Sequence, residues 1–430
     1  MMLSRVIPAL AMTLATASLL ANVSLAQEWT RFRGPNGAGV AASGSGIPSV
    51  WEPDDYNWKA ELPGIGHSSP VIWGEKIFLL SADPDTAMRY LVCLSTRDGS
   101  QLWRRDFKSE EHHLHTQSSY ASSTPTVDAD LVYFAWSTPA KTTLIALTHD
   151  GQTAWERDLG PWVSQHGFGS SPIRYKDLLI LHNSQQANQL AAGETPGESR
   201  MMAFNARSGE TVWETPLTSK NVCYSVPFIL ETPGAAPQLI CCSTAEGIFS
   251  INPDNGDMNW KAGELSMRTV ASPVQVDDLL FASTGSGGGG NYVIAVKPSS
   301  KEGAYEVKSS GQFKANYVPT PVAKDGLLFS WYDKGFVNCL DAKTGEALWS
   351  ERIGDGFSGS PIRIGDRMFC ISQSGDVYVV AASKEFKLLG KNSLGEDSRA
   401  TPAVAGDRLY LRTYSHLFSI GGGTSGGKSN

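Results

Sequence analysis

One short pattern recurs through this chain and constrains its fold more than any single residue does. In the clearest copy, Cys339 is followed by Asp341, by the turn Thr344-Gly345 and by Trp349. Similar copies end at Trp103, Trp155, Trp213 and Trp260. A Ser/Thr-Pro-aliphatic step, or a close variant, recurs at Pro70, Pro125, Pro172, Pro227, Pro273, Pro321, Pro361 and Pro402. Its spacing of about 40 to 55 residues is the period of a four-stranded blade, so the sequence predicts an all-β fold, an eight-bladed β-propeller.

Each unit is predicted to contain four strands, lettered A to D from the axis outward. In the first unit, A is Val71–Trp73, B is 77–81, C is 90–95 and D is Gln101–Phe107. Strand A begins beside Pro because Pro lacks the donor that a ladder needs. Strand C ends in a turn with Gly, which is a hairpin signal. The Trp that opens strand D is predicted to lie at the outer rim and to pack on the next blade.

The two ends of the chain are predicted to close the ring together. The last unit has candidates for strands A to C and then stops in a glycine-rich run, 421–427, without a strand D. The N-terminal region contains Trp58 twelve residues before Pro70, so residues 56–62 are expected to supply the missing outer strand. Val307 and Leu389 stand where a Trp is expected, which predicts weaker outer packing there. The predicted units are a signal peptide (1–26), an extended segment (27–55), the propeller (56–420) and a flexible tail (421–430).

The first residues predict export. Arg5, an apolar stretch over 6–20 and Ser24-Leu25-Ala26 form the three regions of a secretory signal peptide. The apolar stretch is short for a membrane span, although an uncleaved anchor stays as the alternative. The chain is therefore expected to be periplasmic or extracellular, soluble after cleavage near Ala26, without a membrane span, and monomeric.

The net charge and the cysteines indicate which partners and which crosslinks this chain is expected to have. A net charge of −7 argues against a nucleic-acid partner, which requires a basic surface. The six Cys are predicted to be buried thiols rather than a disulfide framework. Neighbouring side chains in a strand point to opposite faces, so Cys241 and Cys242 are expected to pack on different sides of one blade.

The repeat resembles the signature Ala-x-Asp-x-x-Thr-Gly-x-x-x-Trp of quinoprotein-type eight-bladed propellers. In length, the chain resembles the pyrroloquinoline quinone (PQQ)-like repeat proteins related to BamB. The opening Phe32-Arg33-Gly34-Pro35-Asn36-Gly37 and the loop 285–291 are similar to exported members of that group. The chain lacks the lipid-anchoring Cys of BamB, so the resemblance does not imply tethering to a membrane or membership of the assembly complex.

The resemblance implies two functions. The first is a non-catalytic binding or scaffold module at the cell envelope, without a cofactor, whose partner is an envelope protein or a small ligand. The alternative is a PQQ-dependent oxidoreductase, similar to alcohol dehydrogenases, with PQQ and calcium on the propeller axis. The Cys pair lies within a strand, and no Cys-x-x-Cys-His haem motif is present. These features favour the binding module, and no catalytic residue is assigned.

Two motifs have both a functional and an ordinary interpretation. His112-His113-x-His115 suggests a metal, but no further ligand accompanies it, so a solvated loop is predicted and no metal site. The run Gly285 to Gly290 suggests a phosphate loop, but no Lys-Ser/Thr follows it, so a flexible turn between strands B and C is predicted.

One constellation is predicted to form a site. Residues just before each strand A are expected to line one mouth of the central channel, because strand A is innermost. The candidate ligand-binding residues are His67, Tyr120, His166, Tyr224, Arg268, Tyr317 and Arg399, with Ser358 at the remaining blade. Arg supplies a planar donor fork and Tyr a stacking face, so an anionic or planar ligand is predicted. The alternative is that these residues only cap the channel. As loop residues, Arg268 and Arg399 are expected to contribute little to stability.

Overall fold

The computed structural model describes residues 28–42, 44–298 and 302–422, which form an eight-bladed β-propeller. Every blade contains four antiparallel strands, and one blade gains a fifth, parallel strand at its inner edge. The predicted signal peptide with its cleavage site, and residues 423–430 of the predicted tail, lie outside the described residues. The predicted fold class is confirmed.

Two short strands and two 3-10 turns precede the first complete blade. They are the 3-10 turns Pro35–Gly37 and Pro53–Asp55, and the strands β1 (Val40–Ala41) and β2 (Tyr56–Glu61). Blades one to four then comprise β3 (Val71–Trp73), β4 (Lys76–Ala82), β5 (Arg89–Ser95), β6 (Gln101–Phe107), β7 (Thr126–Val127), β8 (Leu131–Ser137), β9 (Thr142–Thr148), β10 (Thr153–Asp158), β11 (Ile173–Tyr175), β12 (Leu178–Asn183), β13 (Arg200–Asn205), β14 (Thr211–Pro216), β15 (Phe228–Leu230), β16 (Gln238–Ser243), β17 (Gly247–Ile251) and β18 (Met258–Ala262).

The second half of the chain repeats this order. Blades five to eight comprise β19 (Val274–Val276), β20 (Leu279–Thr284), β21 (Tyr292–Lys297), β22 (Glu302–Lys308), β23 (Val322–Lys324), β24 (Leu327–Trp331), β25 (Phe336–Asp341), β26 (Ala347–Arg352), β27 (Ile362–Ile364), β28 (Arg367–Ile371), β29 (Asp376–Ala381), β30 (Leu388–Ser393), β31 (Ala403–Ala405), β32 (Arg408–Arg412) and β33 (His416–Gly421). No helix in the described ranges is long and apolar enough to cross a membrane.

The ring closes by pairing the two ends of the chain, as predicted. Strand β2 pairs antiparallel with β33, so that Trp58 lies opposite Ser419 and Ala60 lies opposite Leu417. The order β2-β33-β32-β31 makes the eighth blade a composite of N-terminal and C-terminal strands. This arrangement removes the edge that β33 would otherwise expose.

Several Trp residues of the repeat join their blade to the next one. Trp155 Nε1 of blade two donates to the carbonyl oxygen of Ala206 in blade three, at 2.9 Å. The same indole packs directly on Gly209, and a Cβ added to this glycine would lie only 2.6 Å from the ring. Gly209 also has a φ of +72°, so the turn requires glycine for both reasons. The Gly of the repeat is therefore a contact surface for the neighbouring Trp as well as a turn residue.

The predicted loss of this contact at Val307 is wrong, because the register of β22 differs from the expectation. Tyr305, and not Val307, lies opposite Ala295, the position that Trp occupies in the other blades. The Tyr305 hydroxyl donates to the carbonyl oxygen of Ala342 in blade six, and its ring occupies the space beside Gly345. A Tyr thus replaces the Trp in blade five. In blade seven, Gly390 pairs with Val379, so that blade has no aromatic side chain there.

The Ser/Thr-Pro steps form a ring of hydrogen bonds around the channel. The side-chain hydroxyl before each Pro accepts a hydrogen bond from the backbone N–H at the same position of the preceding blade, as Ser171 does from Thr124 at 2.9 Å. Seven such bonds lie between 2.9 and 3.1 Å and involve the hydroxyls of Ser69, Thr124, Ser171, Ser272, Thr320, Ser360 and Thr401. The eighth position is Val226, so the ring has one gap. The hydroxyl in the sequence signature is explained by contacts between blades.

The segment before β2 lies across the channel, which the sequence did not predict. Trp29 pairs with Ile72 of β3, and β1 pairs in parallel with β27, so the segment follows the innermost strands of blades one and seven. Arg31 Nη2 donates to the Pro227 carbonyl oxygen at 2.7 Å, and Arg33 Nη2 donates to the Pro321 carbonyl oxygen at 2.7 Å. Burial lowers the pKa of both guanidinium groups to about 9. The segment therefore links blades that lie far apart in the chain.

The six cysteines are free and buried, as predicted. Cys241 packs against residues of blades three and four, whereas Cys242 packs against residues of blades four and five. The adjacent side chains therefore point to opposite faces of β16, where burial raises the pKa of both thiols. They serve as small core residues.

Candidate functional site

A cavity of about 740 Å³ lies at the mouth of the channel where the strands A begin. Its walls come from the loops that lead into strands A and from the turns between strands B and C, and Phe32 of the N-terminal segment is part of its lining. A cavity of this size is typical of small-molecule sites. Six of the seven predicted site residues line it, and they are His67, His166, Tyr224, Arg268, Tyr317 and Arg399.

One position of the repeat lines the cavity in every blade. The third residue before each repeated Pro lines the cavity in all eight blades, and in chain order these residues are His67, Ser122, Gly169, Tyr224, Val270, Val318, Ser358 and Arg399. Polar and apolar residues occupy different parts of the ring. The polar residues Ser358, Arg399 and His67 are consecutive, in blades seven, eight and one, whereas Val270 and Val318 are consecutive in blades five and six.

Tyr120 is the predicted residue that the structure does not place in the cavity. Its hydroxyl donates to the His112 carbonyl oxygen at 3.0 Å and accepts from the His112 N–H at 3.2 Å. The Arg89 guanidinium lies 5.6 Å from its ring centre. These contacts keep Tyr120 out of the lining, and Ser122, the third residue before Pro125, lines the cavity in that blade.

Arg268 is held by neighbouring protein groups on every side. Its Nε donates to the Val222 carbonyl oxygen at 2.9 Å, and its Nη1 contacts His166 Nε2 at 2.5 Å. Its Nη2 lies 3.4 Å from the side-chain oxygens of Gln165 and Gln186. A guanidinium only donates, so His166 Nε2 is the acceptor and its proton is on Nδ1. Burial, and then the charge of Arg268, lowers the pKa of His166 to about 4.

Arg399 has a different environment. Its Nη1 donates to the Ser358 hydroxyl at 3.1 Å, and the Gln373 amide donates to the same oxygen at 3.0 Å. Because Ser358 Oγ accepts twice, its own proton is left to donate into the cavity. No carboxylate pairs with Arg399 within the described ranges. Burial, followed by the charges of Arg399 and Arg412, lowers the pKa of the nearby His67 to about 3.

The carboxylates in the lining are Asp333 and Asp355. Asp333 accepts from the backbone N–H of Tyr317 at 2.9 Å and of Val318 at 3.0 Å, one bond on each oxygen. Burial raises the pKa of Asp333 to about 6 although these bonds oppose the shift. With the histidines neutral, the lining has three cations, Arg268, Arg399 and Lys334, so it has a formal excess of one positive charge.

The His112–His115 loop and the glycine run 285–290, for which the sequence predicted no functional role, both border this cavity. His115 lines it, and its ring packs on the ring of His166 at 4.7 Å in an edge-on arrangement. His113 and His115 are both exposed, which agrees with the predicted solvated loop, but the sequence did not predict that His115 borders the cavity. The glycine run connects strands β20 and β21, as predicted, and places Ser286 and Gly287 at the rim of the cavity. Loop composition alone carries no signal for either placement.

The lining residues do not fit the quinone-calcium arrangement that the sequence resemblance implies. Both oxygens of Asp333 are already engaged by backbone N–H groups. Cys241 and Cys242 are fully buried in β16, away from the lining. Within residues 28–42, 44–298 and 302–422, no three side chains of His, Cys, Asp or Glu converge in a way that could hold a metal ion.

Comparisons with known proteins agree with this architecture. A family model described as outer membrane protein assembly factor BamB matches residues 49–306 and 246–424. The outer membrane protein assembly factor BamB of Yersinia pestis is 23% identical over 164 residues, which are 35% of this chain and 39% of that relative. The chain thus spans well under half the length of that curated relative.

Two solved structures share the fold. BamB from Moraxella catarrhalis superposes with a TM-score of 0.57 at 14% identity, covering 86% of this chain and 99% of that one. A quinohemoprotein alcohol dehydrogenase from Pseudomonas putida superposes with a TM-score of 0.54 at 13% identity, covering 93% of this chain and 81% of that one. The same fold therefore occurs in an assembly factor and in an enzyme, and fold alone does not choose between them. The family model covers nearly the whole propeller, and the chain belongs to the family of outer membrane protein assembly factor BamB.

Proposed function

We propose that this chain is an exported, non-catalytic binding module of the cell envelope and that the axial cavity is its binding site. The observation that carries the proposal is the cavity itself. It is lined by Phe32 of the segment that crosses the channel, and its cation Arg399 has no carboxylate partner in the described part of the chain. A charged group at a partly enclosed site favours an oppositely charged ligand, because screening is weaker there than on an open surface.

The proposed ligand is anionic or planar and belongs either to an envelope protein or to a small molecule. Membership of the BamB family supports a role at the envelope. The side chains of the lining supply donors and stacking faces but no nucleophile paired with a base, and the module is proposed to work without a cofactor and as a monomer.

Photo-crosslinking in intact cells tests the proposal. A photoreactive residue at Gly287 reports on the cavity rim, where an added Cβ meets nothing within 4 Å. The matched control is Asp98, an exposed residue in the turn between strands C and D on the opposite face. We expect a defined crosslinked product in the envelope fraction from position 287 and none from position 98. Equal products at both positions, or none at either, would refute the cavity as the binding site.

The competing function is tested separately. Purified protein is incubated with PQQ and calcium, and quinone absorbance and dye reduction with simple alcohols are measured. We expect neither bound quinone nor turnover. Stoichiometric quinone with turnover would replace the binding module by a quinoprotein oxidoreductase.

A further inference from the structure

The cavity is chemically divided, and the division indicates which ligand it takes. Ser358, Arg399 and His67 are adjacent around the ring and form a polar sector. Beside them around the ring, in blades five and six, Val270 and Val318 form an apolar sector next to Tyr224. A ligand that fills the cavity therefore meets hydrogen-bond donors along one part of the wall and apolar side chains along the next part.

The polar sector has donors that lack protein acceptors. Arg399 makes one side-chain hydrogen bond, through Nη1, so its Nη2 is free to donate. The Ser358 hydroxyl accepts from Arg399 and from Gln373 and must donate its own proton elsewhere. A planar guanidinium fork beside a hydroxyl donor matches a carboxylate, whose two oxygens lie in one plane.

The charge of the lining fits a single negative charge. The three cations exceed the two carboxylates, Asp333 and Asp355, by one. A ligand with two or three negative charges would be repelled by these carboxylates at short range, because the partly enclosed site screens them weakly. Of the two other cations in the lining, Arg268 already contacts four protein acceptors.

We propose that the cavity binds an amphipathic monocarboxylate. Its carboxylate accepts from Arg399 and Ser358, and its apolar body lies against Val270 and Val318 above Phe32. This inference rests on the proposed function, since it names the ligand class of the same cavity. Burial of an apolar body supplies affinity because it removes apolar surface from water, while the carboxylate sets orientation.

Isothermal titration with 4-phenylbutanoate and with its neutral isostere 4-phenylbutanamide tests the charge requirement. We expect the acid to bind at least tenfold more tightly than the amide, because a charge-assisted hydrogen bond is about twice as strong as a neutral one. A neutral pentapeptide with a free C-terminus and its amidated form make the second arm, since a chain end has the same carboxylate. Tighter binding of the free peptide than of 4-phenylbutanoate would identify a polypeptide end as the source.

Three variants test the contributions of the polar and the apolar sector to binding, and a fourth variant is the control. Arg399→Gln is expected to weaken the acid at least tenfold and to leave the amide unchanged, and Ser358→Ala is expected to weaken the acid several-fold. Val270→Asn is expected to weaken the acid and the amide alike. Arg97→Gln, at an exposed turn with a side chain 75% exposed, is the matched control and should change nothing.

The outcomes separate this inference from the proposed function. Equal binding of acid and amide, or an unchanged affinity in both Arg399→Gln and Ser358→Ala, would overturn the monocarboxylate. If crosslinking from Gly287 still gives a defined product, the binding module stands while its ligand class is wrong. Absence of that product would overturn both.

Discussion

Arg268 and Arg399 have the same side chain and the same predicted role, but their guanidinium groups have different contacts. Arg268 joins loops of blades three, four and five through Val222, His166 and two glutamines. Arg399 contacts Ser358 and has free donors. These contacts change the prediction for stability, since Arg268 is now expected to contribute to it and Arg399 is still expected to contribute little.

Substitution of Arg268 should destabilise the protein. Arg268→Ala removes a charged donor from the Val222 carbonyl oxygen and from His166, which we expect to lower the free energy of unfolding by about 1 to 3 kcal/mol. Arg399→Ala, the matched comparison, should change it by less than about 0.5 kcal/mol. Urea denaturation measures both values. Equal effects of the two substitutions would contradict the division of roles.

Buried histidines should make the protein sensitive to mild acid. Burial lowers the pKa of His182 and His166 to about 4 and that of His67 to about 3. As the pH falls from 6.5 toward these lowered pKa values, the unfolded chain therefore binds more protons than the native state does. Their contribution to stability is complete above pH 6.5 and is lost as pH falls through 4. Asp333, with its pKa raised to about 6, acts in the opposite direction.

His182→Gln should flatten the acid side of a plot of melting temperature against pH, whereas exposed His113→Gln should leave the slope unchanged. A steep acid slope that survives His182→Gln would show that this histidine does not cause it.

At the scale of single elements, strand β2 is predicted to hold the ring closed through Trp58. The indole is buried, lies over Gly99 of blade one and donates to the Thr96 carbonyl oxygen at 3.1 Å. We expect Trp58→Ala to cost about 3 to 5 kcal/mol, as for other buried aromatic side chains. Leu102→Ala, on an outer strand with a side chain 48% exposed, is the control and should cost little. A melting temperature for Trp58→Ala equal to that of the control would contradict closure by this strand.

The channel segment makes a separate contribution. Arg33 is fully buried and donates to the carbonyl oxygens of Thr320 and Pro321. We expect Arg33→Ala to lower the free energy of unfolding by about 3 kcal/mol, since it leaves two charge-assisted bonds unmade. Proteolysis should then cleave first within residues 28–55 while the blades stay intact. Cleavage that begins in the blades would show that the segment does not depend on Arg33.

The sequence predicted the elements well because the signals are local. The turn residues, the Pro before strand A and the position of Trp58 each act over a few residues, and the repeat makes them visible. The channel segment was not predictable in this way, because it has no repeat and its contacts, such as Arg31 with Pro227, join residues far apart in the chain. Tyr120 was misplaced for a different reason. Its contacts with His112 and Arg89 hold its ring away from the cavity, and Ser122 lines the cavity in that blade instead.

At the scale of the whole molecule, three features give one cavity with two chemically distinct sides. The hydroxyl ring fixes the spacing of the blades, the N-terminal segment crosses the channel, and the loops before strands A supply the lining. Symmetry of the repeat positions eight residues at one level, and variation within the repeat gives them different chemistry in different parts of the ring. The proposed binding role therefore depends on departures from the repeat and not on the repeat itself.

Native mass spectrometry of the protein purified from its own cell envelope tests the central claim most directly. The account predicts one small adduct per chain, without calcium, which is absent from Val270→Trp, a variant that fills the cavity. The adduct should be retained by Arg97→Gln. A parent protein that carries no adduct, or an adduct of PQQ with calcium accompanied by turnover, would contradict the account.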